Sequence, residues 1–164
     1  MGLGEKPRGI ISYYGYGFLC PDWYKSPSFY YLQYPNLKRE SVKKLIKDRQ
    51  LSEASPQIRF PLYLYTRQTG TWFSSFAGDD EEGFLSNYSL LNLPDQIDYP
   101  PSFLAHSLRD EDVPFRESIE LSKLIRDSSL YTPSVEGHDF DRQVDSRETV
   151  ILLNKTIEFL DKNI

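Results

Sequence analysis

The chain of 164 residues holds one domain of ordinary size, and 24 acidic against 19 basic side chains give it a formal charge of −5 and an isoelectric point near 5.1. That balance argues against a nucleic-acid partner, whose phosphates need a net basic face. Only three alanines are present while 15% of the residues are aromatic, so the core is expected to be built from rings and branched aliphatics.

One cysteine, Cys20, rules out an intrachain disulfide, and no Cys/His cluster with zinc spacing can be assembled, so neither a metal nor another cofactor is expected. The polar start, residues 1–8, has no apolar h-region, and Lys6 stands where a myristoylation signal wants Ser or Thr. No apolar run approaches the roughly 20 residues of a membrane span. These features predict a cytoplasmic chain that does not enter a membrane.

In chain order, Gly9–Gly15 is a β-branched and aromatic run bounded by glycines and reads as a buried strand. Tyr16–Tyr24 reads as a loop, and residues 25–37, with Pro27 and Pro35 among several tyrosines, as irregular packed chain. From Ser41, Val42, Leu45 and Ile46 line one side of a short helix with lysines on the other. Ile58–Thr66 fits either a strand or a helix by periodicity. Trp72, Phe73 and Phe76 form an aromatic cluster, and Asp79–Glu82 reads as a solvated acidic loop.

From Tyr99 the texture becomes a regular alternation of strand and helix. Ser102–Ser107 reads as a strand, Glu117–Arg126 as a helix with one apolar side, and Leu130–Val135 as a second strand. A last helix from about Arg147 to Lys162 carries Val150, Leu153, Ile157 and Leu160 on one face, with Asp145 and Glu148 as a variant capping box. Strand, helix, strand, helix in this order predicts parallel pairing.

Imidazole acid/base chemistry can use only His106 or His138. His106 sits inside an apolar strand and reads as a satisfied structural histidine. His138 follows a strand, in the region beyond the carboxyl ends of the strands where open α/β sheets collect their sites. Asp110 occupies the equivalent place after the preceding strand. A carboxylate there would fix the imidazole's tautomer and stabilise the imidazolium formed in general base catalysis. By spacing alone Asp112, Asp139 and Asp141 are alternatives to Asp110.

The run Pro100–Ser118, with His106-Ser107, Asp110 and Val113-Pro114, resembles the penultimate strand and acid loop of the α/β-hydrolase superfamily, where an apolar strand commonly ends in His-Gly before an Asp, Val-Pro and a helix containing Ser. Glu136-Gly137-His138-Asp139-Phe140 is similar to that family's last catalytic loop. Gly9–Gly17 with Trp23-Tyr24 resembles the strand that follows the nucleophile in an esterase-like and prolyl-oligopeptidase-like branch, and Tyr63–Trp72 resembles that branch's helical cap, which favours helix over 58–66. Matched residue by residue, the resemblance implies Asp110 as the triad acid and His138 as the base. Ser107 departs from the usual His-Gly.

The nucleophile elbow, Gly-x-Ser-x-Gly, occurs nowhere in the 164 residues, nor does a His-Gly-Gly run for the oxyanion hole. In the family's order both precede the acid and the base, so they are expected upstream of Met1, and the chain is expected to be the C-terminal part of an α/β-hydrolase fold. That part comprises about three parallel strands flanked by helices: a strand and loop at 1–24, a cap-like helical insertion at 25–98, and the acid strand, histidine loop and C-terminal helix at 99–164. The resemblance implies a serine hydrolase of esters or related acyl bonds acting on a small-molecule substrate in the complete protein. The chain alone is expected to be inactive, and to be a homo-oligomer or the partner of a complementing N-terminal half. The alternative is a catalytically inactive interaction module.

Overall fold

The computed structural model describes residues 7–46, 53–92 and 99–163. Lys6 and the residues before it, and the parts of the expected 25–98 insertion at 47–52 and 93–98, lie outside the described residues. The chain divides into two compact units, one made of the segments up to Cys20 and from Tyr88 onward, the other of Pro21–Asn87.

The first unit is built on a parallel sheet in the order β1 (Ile10–Tyr13), β2 (Ser102–Ala105), β3 (Ser128–Tyr131). The register pairs Ile10 with Ser102 and Tyr13 with Ala105 on one side of β2, and Ser102 with Ser128 and Ala105 with Tyr131 on the other. All four residues of the central strand are buried. Because side chains alternate across a strand, β2 feeds two cores. Leu104 joins Leu19, Leu121 and Ile125 on one face. Phe103 and Ala105 join Leu152 on the other, with Tyr13, Tyr131, Phe140 and Phe159 packed around them. Helix α5 (Arg116–Leu124) supplies the first face and α6 (Arg147–Asn163) the second. Where the chain leaves this unit it also returns: Leu90 N–H donates to the Gly17 carbonyl at 3.0 Å, and the Ser89 hydroxyl to that of Phe18, also at 3.0 Å.

Three features of this unit differ from expectation. Strand β3 begins and ends earlier than Leu130–Val135, because Pro133 has no N–H to give a ladder. Helix α6 is capped by Ser146, whose Oγ accepts the Thr149 N–H at 3.1 Å, and not by an Asp145–Glu148 box. The face of α6 that meets the sheet carries Thr149, Leu152, Thr156 and Phe159; Val150, Leu153 and Ile157 lie on its flank, 47%, 47% and 54% exposed.

The second unit carries α1 (Arg39–Lys43), α2 (Pro56–Thr69), α3 (Trp72–Ala77) and most of α4 (Glu81–Tyr88). The ambiguity at 58–66 resolves as helix: Pro56 sits in the first turn, where its missing N–H costs nothing, and Gly70 at φ 69° closes α2 in the left-handed cap that favours glycine. Gln68 explains how the proline-broken segment before it packs. Its amide N–H groups donate to the carbonyls of Tyr31, Tyr34 and Pro35, and its carbonyl accepts from the Leu37 N–H. The guanidinium of Arg67, itself buried, lies 5.0 Å from the Trp23 ring and 5.7 Å from those of Tyr31 and Trp72. The acidic run at 79–82 is a helix start rather than a loop: Asp80 Oδ1 accepts the Gly83 N–H at 2.9 Å, and Glu81 and Glu82 occupy the first turn, where the helix dipole favours negative charge.

Candidate active site

The loops that leave the carboxyl ends of β2 and β3 are stitched to one another. Ser107 donates its hydroxyl to the Val135 carbonyl and accepts the Arg109 N–H at 3.1 Å. Arg109 forms an isolated parallel bridge with Glu136, backed by a surface ion pair at 2.9 Å, and its carbonyl accepts the Gly137 N–H at 3.4 Å. Gly137 has φ 96°, a conformation that disfavours any side chain, and it is the residue that turns the chain into His138. Two loops 28 residues apart in sequence thereby bring Asp110 against His138.

The contact is a hydrogen bond from His138 Nδ1 to Asp110 Oδ2 at 2.8 Å. The Asp110 side chain is completely buried, and each of its lone-pair directions is used. Oδ1 accepts the N–H groups of Asp112 at 2.9 Å and Val113 at 2.8 Å, while Oδ2 faces both His138 and, at 3.0 Å, His106 Nε2. Burial pushes this carboxyl upward, but hydrogen bonds from both histidines, the charge of His138 and the Val113 amide outweigh it and hold Asp110 well below the ordinary carboxylate range. On His138 burial acts downward, and the hydrogen bond and charge of Asp110, with Asp112 and Asp139 beyond, raise its affinity for a proton above the ordinary value. Among the candidates, therefore, Asp110 bonds the imidazole; Asp112 contributes its backbone N–H, Asp139 pairs with Arg142 at 2.7 Å, and Asp141 accepts from Tyr14.

His106 is fully buried, as expected of a satisfied histidine, yet it is not remote from the site. Its Nε2 faces two acceptors, Asp110 Oδ2 and the Val113 carbonyl at 3.0 Å, so that nitrogen carries the proton, and Nδ1 accepts from the Ser118 hydroxyl at 2.7 Å. Ser118, His106 and Asp110 form one buried line ending at His138. With Asp110 fixing the proton on Nδ1, the Nε2 lone pair of His138 remains to act as a base, and no hydrogen bond occupies it among the described residues. The His138 side chain is 31% exposed.

Residues to which the sequence assigned no role also shape the site. Ser107 binds the two loops together where the resemblance leads one to expect glycine. Tyr14, at the end of β1, places its ring 4.5 Å from the His138 ring. The Ser of the helix after Val-Pro was the one legible signal, since the family pattern includes it.

No family model and no curated protein matches the chain. Among solved structures it is similar to a protein of unknown function from Staphylococcus aureus subsp. aureus Mu50, with a TM-score of 0.82 and 27% identity over 94% of this chain and 56% of that one. It is also similar to an alpha/beta hydrolase superfamily protein from Enterococcus faecalis, with a TM-score of 0.77 and 25% identity over 96% of this chain and 56% of that one. The chain thus spans a little over half the length of both. It has the fold of the C-terminal part of an α/β hydrolase, with three parallel strands between helices.

Proposed function

We propose that the chain supplies the acid and base of a serine hydrolase acting on carboxylic esters or related acyl bonds of a small molecule. The observation that carries this reading is the Asp110–His138 pair: a saturated buried carboxylate on Nδ1 and an open Nε2, the arrangement that lets an imidazole take a hydroxyl proton and then hold the resulting charge. The serine and the oxyanion donors come from polypeptide outside these 164 residues, which contain no Gly-x-Ser-x-Gly.

The test has two arms. The 164-residue chain is expected to show no ester turnover and no labelling by a fluorophosphonate; stoichiometric labelling of one of its serines, abolished by His138→Ala, would place the nucleophile inside it. A product extended through the codons upstream of Met1 is expected to carry the elbow motif, react with the probe and hydrolyse p-nitrophenyl esters, and to lose turnover by about 10⁴ or more in His138→Ala. Undiminished turnover in that variant would end the proposal. A second reading, an interaction module without catalysis, is favoured by the exposed apolar flank of α6, and an extended product inert to the probe would support it.

A further inference from the structure

We infer that Tyr14 is a positioning residue for His138, holding the imidazole plane that Asp110 alone leaves free to rock. The catalytic consequence rests on the proposed role of His138 as base; the geometric claim does not.

Asp110 grips one ring nitrogen of His138. One hydrogen bond fixes a distance and a tautomer, but the ring can still swing about that bond, which moves the opposite nitrogen through an arc. Tyr14 supplies the second constraint. Its ring centroid lies 4.5 Å from that of the imidazole with the planes inclined at 58°, and it also meets Phe140 edge-on at 6.0 Å. Its hydroxyl donates to Asp141 Oδ1 at 2.9 Å. Asp141 lies in the short 3-10 turn Phe140–Arg142, immediately after the histidine loop. Tyr14 therefore touches His138 with its ring and the segment that follows His138 with its hydroxyl, a clamp closed at both ends of one side chain.

The backbone shows that this placement is imposed. Tyr14 has φ 41°, in the left-handed region that a bulky side chain rarely occupies, while its N–H donates to the Ala105 carbonyl at 2.6 Å and so extends the β1–β2 ladder by one bond. Such a conformation is strained and persists where the surroundings over-determine it. Burial first, then the hydrogen bond and charge of Asp141 and the charge of Asp139, push the Tyr14 hydroxyl far up, so it remains a donor throughout the working range. The charged groups around the imidazole are Asp110 on Nδ1, Asp112 and Asp139 through space, and Asp141 with Arg142 through Tyr14.

The experiment reads the ring directly, without turnover, by NMR of 15N-histidine-labelled chain. In wild type His138 is expected as a single tautomer with its proton on Nδ1 and slow exchange of that proton with water. Tyr14→Ala is expected to speed the exchange by about three- to tenfold, the range an aromatic contact supports, and to admit the Nε2–H tautomer. Tyr14→Phe keeps the ring and loses the Asp141 bond, and is expected to fall between the two. If Tyr14→Ala leaves both tautomer and exchange at wild-type values, the inference is wrong. Should Tyr14→Ala lose its dispersed amide spectrum, Tyr14→Phe decides: exchange equal to wild type overturns the inference. Asp110→Asn, which removes the carboxylate's charge, should accelerate exchange in every background. Failure of the hydrolase reading would appear separately, as turnover of the extended product that is indifferent to His138.

Discussion

The residue that holds most of the loop after β1 in place is Glu117. It lies in the first turn of α5, fully buried, and its carboxylate accepts the N–H groups of Gly17 at 3.2 Å, Leu19 at 3.1 Å and Cys20 at 2.8 Å. Phe18, between them, has φ 56°, so the loop is wound around the carboxylate rather than lying flat. Truncating the acceptor leaves three amides in a dry site, and each unsatisfied group costs about 1–3 kcal/mol. Glu117→Ala is therefore expected to lower the unfolding free energy by about 3 kcal/mol or more, and Glu117→Gln, which keeps one oxygen, by less. Urea titration decides, and a Glu117→Ala loss under about 0.5 kcal/mol would show that the amides find water instead. None of this was legible beforehand. In the sequence Glu117 is a polar position at the start of an amphipathic helix, and its partners lie about a hundred residues away. The Asp110–His138 pair was legible because the family's pattern marks the loops after two successive strands; the Tyr14 hydroxyl meets Asp141 across 127 residues with no pattern to announce it.

Among the elements, α6 separates what periodicity can read from what it cannot. The helix lies where its apolar spacing placed it, but the stripe of Val150, Leu153 and Ile157 is not the face on the sheet. Lys155 lies over the Tyr131 ring of β3 at 5.5 Å, Leu152 and Phe159 meet β2, and the stripe is turned aside. A helix with apolar residues on more than one side has no unique inward face until the strands beneath it choose one. The start of the helix makes the same point at smaller scale. Asp145 and Ser146 are both capable caps, and it is the Ser146 hydroxyl that reaches the Thr149 N–H. Ser146→Ala is expected to cost about 1 kcal/mol and Asp145→Ala a few tenths at most. Equal or inverted losses in thermal unfolding would restore the Asp145 cap. The β3 boundary shows the reverse case, a signal present but outweighed: Pro133 was visible, and the run of apolar and β-branched residues through Val135 obscured what a missing N–H does to a ladder.

For the whole molecule, the arrangement around Asp110 ties the chemistry of the site to the stability of the sheet. Asp110 binds the β2 loop to the β3 loop through His138 and to the line from Ser118 through His106, so its ionisation is a folding term as well as part of the proposed chemistry. The two shifts act at opposite ends of the pH scale. His138 is raised above its ordinary 6.5, so the stability it contributes is complete below that pH and is lost as pH climbs through the folded-state value. Asp110 is lowered below its ordinary 3.8, so its contribution is complete above that pH and is lost as pH falls toward the folded-state value. Both are present together between 3.8 and 6.5. The thermal midpoint of the wild-type chain is accordingly expected to be highest in that window. Other carboxylates also titrate at the acid end, so the alkaline limb is the discriminating one. His138→Ala removes the imidazole's share of the loss above 6.5, and the difference in midpoint between wild type and variant is expected to shrink steadily from about pH 6 to about pH 9. Parallel curves across that interval would mean that the imidazole's proton is not coupled to folding, and that the two loops are held together by the Ser107–Val135 and Arg109–Gly137 hydrogen bonds and the Arg109–Glu136 bridge instead.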